Sequence, residues 1–213
     1  MRPIVLSLFD RTGVMVQPWL EVGFECWIVD VQHAPGVRHE PVAAGHLVTV
    51  GADVRHWLPP RRDYVAAFAF VPCTDQAVSG ARWFKDKGLA GLAGAVQLVE
   101  RARDILEWTD APWMIENPVG TISSYWREPD AYVHPWQFAG WEADVERENY
   151  TKKTGLWVGG GFCLPDARPA PPPHRDDIHR MGPSEDRGDR RSMTPRGFAR
   201  AVFDANRRVE VAA

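Results

Sequence analysis

The residue types able to do covalent or acid–base chemistry gather where apolar runs stop. The run Tyr64-Val65-Ala66-Ala67-Phe68-Ala69-Phe70-Val71 meets Pro72 and then Cys73. Proline cannot donate to a sheet ladder, so the run reads as a buried strand that ends there, with Cys73 in the loop beyond. A cysteine in that place is a candidate nucleophile where its surroundings favour the thiolate, and otherwise a small apolar residue. A second run, Pro112-Trp113-Met114-Ile115, is followed at once by Glu116-Asn117-Pro118. The Asn-Pro step predicts a rigid turn that aims the Glu116 carboxylate at the same rim as Cys73. A lone, solvated loop acid is the other reading of Glu116.

Three further acids close strand-like runs. Ile4 to Phe9 reads as a first buried strand, ended by Asp10-Arg11-Thr12-Gly13. A helix follows over roughly Val14 to Val22, and Gly23 closes it. Phe24 to Val29 is a second strand with Asp30 at its end. Strand, glycine turn, helix, strand, acid is the order of a nucleotide-binding half-fold, with the acid roughly 20 residues past the turn to grip a ribose hydroxyl. A generic βαβ unit whose aspartate caps a turn has the same order. Leu47 to Val50 reads as a third strand leading to Asp53, which either accepts from an adenine amino group or closes an Asx turn.

The elements between these points are plainer. Gln32 to Ala44, with Pro35, Gly36 and Pro41, reads as loop. Apolar residues at helical spacing from Leu89 to Leu106 predict a helix that starts within or just after Lys85 to Gly88 and packs on the sheet. Gly120 to Tyr150 is loop-rich and aromatic, and Asn149 to Gly159 reads as a turn feeding a short strand. Pro165 to Arg190 is rich in Pro, Arg and Asp, too poor in apolar residues to fold alone, and reads as a surface loop. Thr194-Pro195 is expected to open a last helix over about 194–207, as cap and first-turn residue.

Composition narrows the classes. The 213 residues suffice for one core, and 45% hydrophobic with 25% charged residues is ordinary for a soluble globular chain. A net charge of −3 argues against a large surface for wrapping duplex DNA. Ten tryptophans serve cores but also platforms on which bases stack. The cysteines, Cys26, Cys73 and Cys163, include no close pair, so neither a disulfide framework nor a metal site is expected. No run is apolar for long enough to span a membrane, and a reducing cytoplasm is the expected location.

In this order of elements the chain resembles the cytosine carbon-5 DNA methyltransferases, most closely their small phage-type members. The similarity runs from Val5 to Asn206 and is weaker across Arg55 to Arg61 and Pro165 to Asp189. Leu8-Phe9-Asp10-Arg11-Thr12-Gly13 resembles the cofactor turn, Val29-Asp30 the ribose acid and Asp53-Val54 the adenine contact. Pro72-Cys73 resembles the nucleophile motif, Glu116-Asn117 the acid that follows it, and Arg191 to Arg196 the late Thr-Pro-Arg motif. Lys152-Lys153 stand where the family has an arginine motif.

The resemblance implies a single α/β domain over 1–213 with a Rossmann-like S-adenosylmethionine-dependent methyltransferase fold, mostly parallel in its sheet, with helices on both faces. It implies S-adenosylmethionine as cofactor, held by Phe9, Asp10, Gly13, Asp30, Val31, Asp53, Val54 and Pro72. The catalytic residues would be Cys73, Glu116 and Asn117, with Lys152, Lys153 and Ser79 toward the substrate. In that chemistry a thiolate adds to carbon 6 of cytosine, and a carboxylic acid at N3 and the exocyclic amine stabilises the charge pushed into the ring.

Three departures from the family pattern shape the expectation. Arg11 stands where the family has glycine, which matters if that position needs positive φ. Ala77 replaces a serine after the nucleophile. The family's target-recognition domain is missing, with only Pro165 to Asp189 in its place. The expected partner is therefore single-stranded DNA, duplex DNA presented by another protein, or a free pyrimidine nucleotide. A non-catalytic relative that binds cofactor or nucleic acid is the reading from another class.

Overall fold

Alternating burial along each central strand splits the core into two layers. The structure is a computed structural model and describes residues 2–73, 84–120, 122–176 and 192–207. In β1 (Ile4–Leu8), Ile4, Leu6 and Leu8 enter one apolar cluster, and Val5 enters the other. In β5 (Tyr64–Phe70), Ala67 and Ala69 point to the first layer, and Ala66 and Phe68 to the second. Both faces are covered, so these strands read as unbroken apolar runs.

α2 (Phe84–Trp108) covers the first face with Val99, Ala102, Ile105 and Leu106. Gly88 interrupts it at φ 62°, so regular helix begins just past it, as the periodicity predicts. α1 (Gln17–Glu21) covers the second face with Trp19 and Leu20. There it is joined by α4 (Arg196–Asn206), which contributes Phe198, Ala201 and Val202. α3 (Ile122–Tyr125) is a single turn. α1 is shorter than the sequence suggests, because residues 14–16 form turns and the helix starts only at Gln17, with Pro18 in its first turn.

The sheet corrects the expectation of a mostly parallel, Rossmann-like fold. Among the described residues it has eight strands in the order β3-β4-β2-β1-β5-β6-β8-β7 and is mixed. β2 (Glu25–Asp30), β4 (Gly45–Gly51), β5 and β6 (Trp113–Pro118) join β1 in parallel pairings. The remaining three pairings are antiparallel: β3 (Gly36–Val42) with β4, β8 (Thr154–Gly159) with β6, and β7 (Ala131–Val133) with β8. Two of the described α-helices have five residues or fewer.

The segment read as loop over Gln32 to Ala44 contains β3, which turns into β4 through Ala43 and Ala44, with Ala43 at φ 53°. Pro41 is tolerated because β3 is an edge strand with one neighbour. The start of the last helix is also corrected. Thr194 does not cap it; the Glu148 carboxylate, 48 residues earlier, accepts from the Arg196 and Gly197 backbone N–H groups.

Residues 165–176 form an irregular strap. The Gly140 and Ala170 N–H groups bond the Arg168 and Trp136 carbonyls, and Asn149 Nδ2 donates to the Pro171 carbonyl at 3.2 Å. The rest of the expected loop, with Arg180 and Arg187, lies outside the described residues.

Candidate functional site

Parallel pairing of β5 with β6 puts Phe70 in register with Glu116. Glu116 therefore stands beside the residue three before Cys73. It belongs to β6 itself, not to a turn after it, which corrects the predicted Glu-Asn-Pro turn: β6 pairs with β8 as far as Pro118 opposite Thr154. Being in a strand sends Glu116 and Asn117 to opposite faces.

Glu116 reaches the α1/α4 side and lines a shallow open pocket with Phe70, Val133, His134, Phe138 and Lys152 among its walls. Ser192, Thr194, Pro195 and Phe198 close its far side. Asn117 is fully buried on the α2 side, and its Nδ2 donates to the Val71 carbonyl at 2.8 Å. That bond ties β6 to the segment carrying Pro72 and Cys73. Its Oδ1 is buried with no hydrogen-bond partner among the described residues.

The two lysines, just ahead of β8, have different surroundings. Lys152 Nζ lies 3.8 Å from Glu116 Oε1, with the two side chains 15% and 17% exposed. Lys153 Nζ lies 4.3 Å from the Tyr132 ring centroid, over the ring face, and is not in the cavity wall. His134 Nδ1 accepts from the Lys152 backbone N–H at 3.2 Å, which leaves the His134 proton on Nε2. From His134 a row of rings runs outward: Trp136 stacks on it at 6.1 Å, and His174 stacks on Trp136 at 4.1 Å and 8°. His134 and Phe138 were missed in the sequence. Their position in an aromatic loop beside the lysines was the available signal.

Of the three cysteines, Cys26 is fully buried, and burial pushes its thiol pKa far up. Cys163 is exposed beyond β8, where its backbone N–H donates to Asn206 Oδ1. Cys73 is half-buried and directly follows exposed Pro72. Ser79 lies outside the described residues, as does Ala77.

At the other strand ends the acids do different work. Asp10 is 4% exposed and folds its own turn: Oδ2 accepts from Ser7 Oγ at 2.7 Å, and Oδ1 from the Gly13 N–H at 2.7 Å and the Thr12 N–H at 3.0 Å. Burial raises its carboxyl above the ordinary range, against the lowering by these donors. The left-handed positions of this turn are Phe9 at φ 56° and Gly13 at φ 68°; Arg11 is not among them, so arginine there does not strain the backbone. Arg11 instead reaches across to Gln32 Oε1 at 3.3 Å.

Asp30 ends β2, and its Oδ1 accepts from the Gln32 N–H at 2.7 Å, while exposed Val31 stands beside it. Asp30 Oδ2 has no hydrogen bond among the described residues. Asp53 closes an Asx turn with the Arg55 N–H and is gripped by the Arg55 guanidinium at 2.7 Å, which holds its carboxyl below the ordinary range. Val54, next to it, is buried in the first core layer.

The residues at the ends of β1 and β2 fit S-adenosylmethionine in part. Asp30 keeps an oxygen for a ribose hydroxyl, and half-buried Phe9 offers an apolar wall. Asp53 fits less well, because Arg55 already occupies its carboxylate. Among the described residues no group of three metal-ligating side chains comes together, and no helix is long and apolar enough to cross a membrane. No protein-family model matches the sequence, and comparison with curated proteins gives no match.

Proposed function

We propose that this chain methylates carbon 5 of an unpaired cytosine, with Cys73 as nucleophile and the Glu116 cavity as the base pocket. The observation that carries the reading is the β5/β6 register, which sets Glu116 beside the strand end leading to Cys73 while Asn117 ties the two ends together. Cys73 attacks carbon 6 as the thiolate, forming a carbon–sulfur bond as the ring double bond shifts its electrons toward N3. Glu116 meets N3 and the exocyclic amine, and a proton shared between it and N3 stabilises the charge pushed into the ring. Lys152, beside Glu116, supplies the positive charge for the base carbonyl. S-adenosylmethionine, when bound at the ends of β1 and β2, supplies the methyl group that carbon 5 takes up. A water molecule then takes the carbon 5 proton as the carbon–sulfur bond breaks, the N3 proton returns to Glu116, and the Cys73 thiolate leaves with the ring restored.

An unpaired base suits this pocket because flipping from a duplex costs a few kcal/mol that a single strand avoids. The ring row His134, Trp136 and His174 starts in the pocket wall and offers a neighbouring base a stacking surface.

The test is covalent trapping. An oligonucleotide carrying 5-fluorocytosine, incubated with S-adenosylmethionine, should yield a stable adduct mapped by peptide mass spectrometry to Cys73, since fluorine does not leave as the proton does. Cys73→Ser should abolish the adduct, and Cys26→Ser and Cys163→Ser should retain it. An adduct on Cys26 or Cys163, or none with folded protein at saturating cofactor, would overturn the assignment.

A further inference from the structure

The hairpin at the far edge of the sheet carries two histidines in a geometry that no part of the base pocket uses. His39 on β3 and His46 on β4 lie diagonally across the antiparallel pairing, where His39 is in register with Val48 and His46 with Pro41. His39 Nδ1 and His46 Nε2 face each other at 3.3 Å. The two rings have centroids 5.5 Å apart, inclined at 31°. The Trp27 ring meets His39 edge-on at 6.3 Å, holding it from the side of β2.

That separation matches the bite of a tetrahedral cation. With zinc–nitrogen bonds of 2.0–2.1 Å and a tetrahedral angle, two ligating nitrogens stand about 3.3 Å apart. We propose that His39 and His46 form a two-point clip for a divalent transition cation of the zinc class across the β3/β4 hairpin.

Both facing nitrogens must then present lone pairs, so the rings carry their protons on His39 Nε2 and His46 Nδ1. Without the cation, one facing nitrogen holds the proton of the bond between the rings, and binding moves it to the other nitrogen of its ring. Glu25, in register with His46 on β2, places a carboxylate nearby. Its Oε1 is engaged by Trp27 Nε1 at 2.7 Å and faces Arg62 at 3.6 Å, so it serves as local charge and not as a third ligand. Since no third metal-ligating side chain joins the pair among the described residues, the remaining positions on the cation belong to water. Imidazole pairs suit zinc, copper and nickel, whereas magnesium prefers oxygen donors. The clip spans two strands that meet through a two-residue turn, so its occupation staples the edge strand to β4.

The experiment uses the full chain with zinc chloride, read by isothermal titration calorimetry and by hydrogen exchange of the β3 amides. Zinc should slow exchange across Gly36–Val42, and magnesium should leave it unchanged. Losing one second-shell partner already costs 10–100-fold in metal affinity, so His39→Gln and His46→Gln should each weaken the hairpin-linked binding at least about tenfold. Arg38→Gln, on the opposite face of β3, should behave as the parent. The histidines are on the surface hairpin, and circular dichroism verifies that each variant is folded. Zinc binding elsewhere, at Cys73 or Cys163 for example, would survive both histidine substitutions and leave β3 exchange unaltered. Either that pattern or no β3 response to zinc at all overturns the proposal.

Discussion

Glu148→Ala tests the coupling of the loop region to the last helix. The Glu148 side chain is buried, and its two oxygens take the first N–H groups of α4, from Arg196 and from Gly197 at 2.7 Å. Gly197 is buried, so its N–H has no water to turn to, and leaving it unpaired costs about 1–3 kcal/mol. Arg196 is exposed, and loss of its cap costs a further 0.5–1 kcal/mol or so. Removing a carboxylate whose burial already raises its pKa recovers part of this, leaving a net loss of about 2 kcal/mol. For a chain of this length that is a drop in Tm of about 4–8 °C.

Urea denaturation followed by tryptophan fluorescence measures it directly. Glu142→Ala is the control, since its partly exposed bond to Arg200 is worth about 1 kcal/mol or less. The argument fails if Glu148→Ala lies within 0.5 kcal/mol or so of the parent, or if Glu142→Ala costs more.

Two further substitutions probe the core. Trp19 is fully buried and its Nε1 has no partner among the described residues, so in Trp19→Phe the smaller ring's packing loss is offset by removal of an unpaired N–H. Its cost should stay within about 1 kcal/mol, well below that of Trp157→Phe, whose Nε1 donates to the Arg127 carbonyl at 2.8 Å; urea midpoints in the reverse order would refute this. Asp10 holds its proton to higher pH in the folded chain than in the unfolded one. The native state therefore binds more protons just above the ordinary value of 3.8, and this group's stabilising contribution is lost as pH rises through the folded pKa. Asp10→Asn should flatten that part of the stability–pH curve, and an unchanged slope in urea titrations would count against the assignment.

What could be read from the chain depended on whether the signal was local. β1, β2, β4, β5 and the regular part of α2 carry their burial in their own apolar runs, and the sequence places them correctly. β3 was hidden because an exposed edge strand has no apolar run to show, and Gly36 and Pro41 read as breakers. Besides the β3/β4 hairpin, the mixed character of the sheet comes from β8 lying antiparallel to β6, a pairing set by partners some 40 residues apart, and from β7 added beyond it. The strand ends at Asp30 and just before Cys73 follow from short patterns, whereas the different surroundings of Lys152 and Lys153 do not. Arg55 closing over Asp53 follows from side-chain geometry that spacing does not encode. The capping of α4 by Glu148 links residues far apart in sequence, which the nearer Thr194-Pro195 signal obscured.

The docking of α4 on α1 has a consequence for synthesis. Phe203 meets the Trp19 ring edge-on at 5.0 Å, and Arg200 reaches Glu21 at 3.1 Å, so the partners of the first helix are among the last described residues to be made. A ribosome adding about 5–20 residues per second leaves Trp19, Met15 and Leu20 without that cover for roughly 10–40 seconds. During that interval the nascent chain presents an apolar face of the kind holdase chaperones recognise. Any message cut short before Arg196 yields a product that keeps that face open and is a ready substrate for proteolysis.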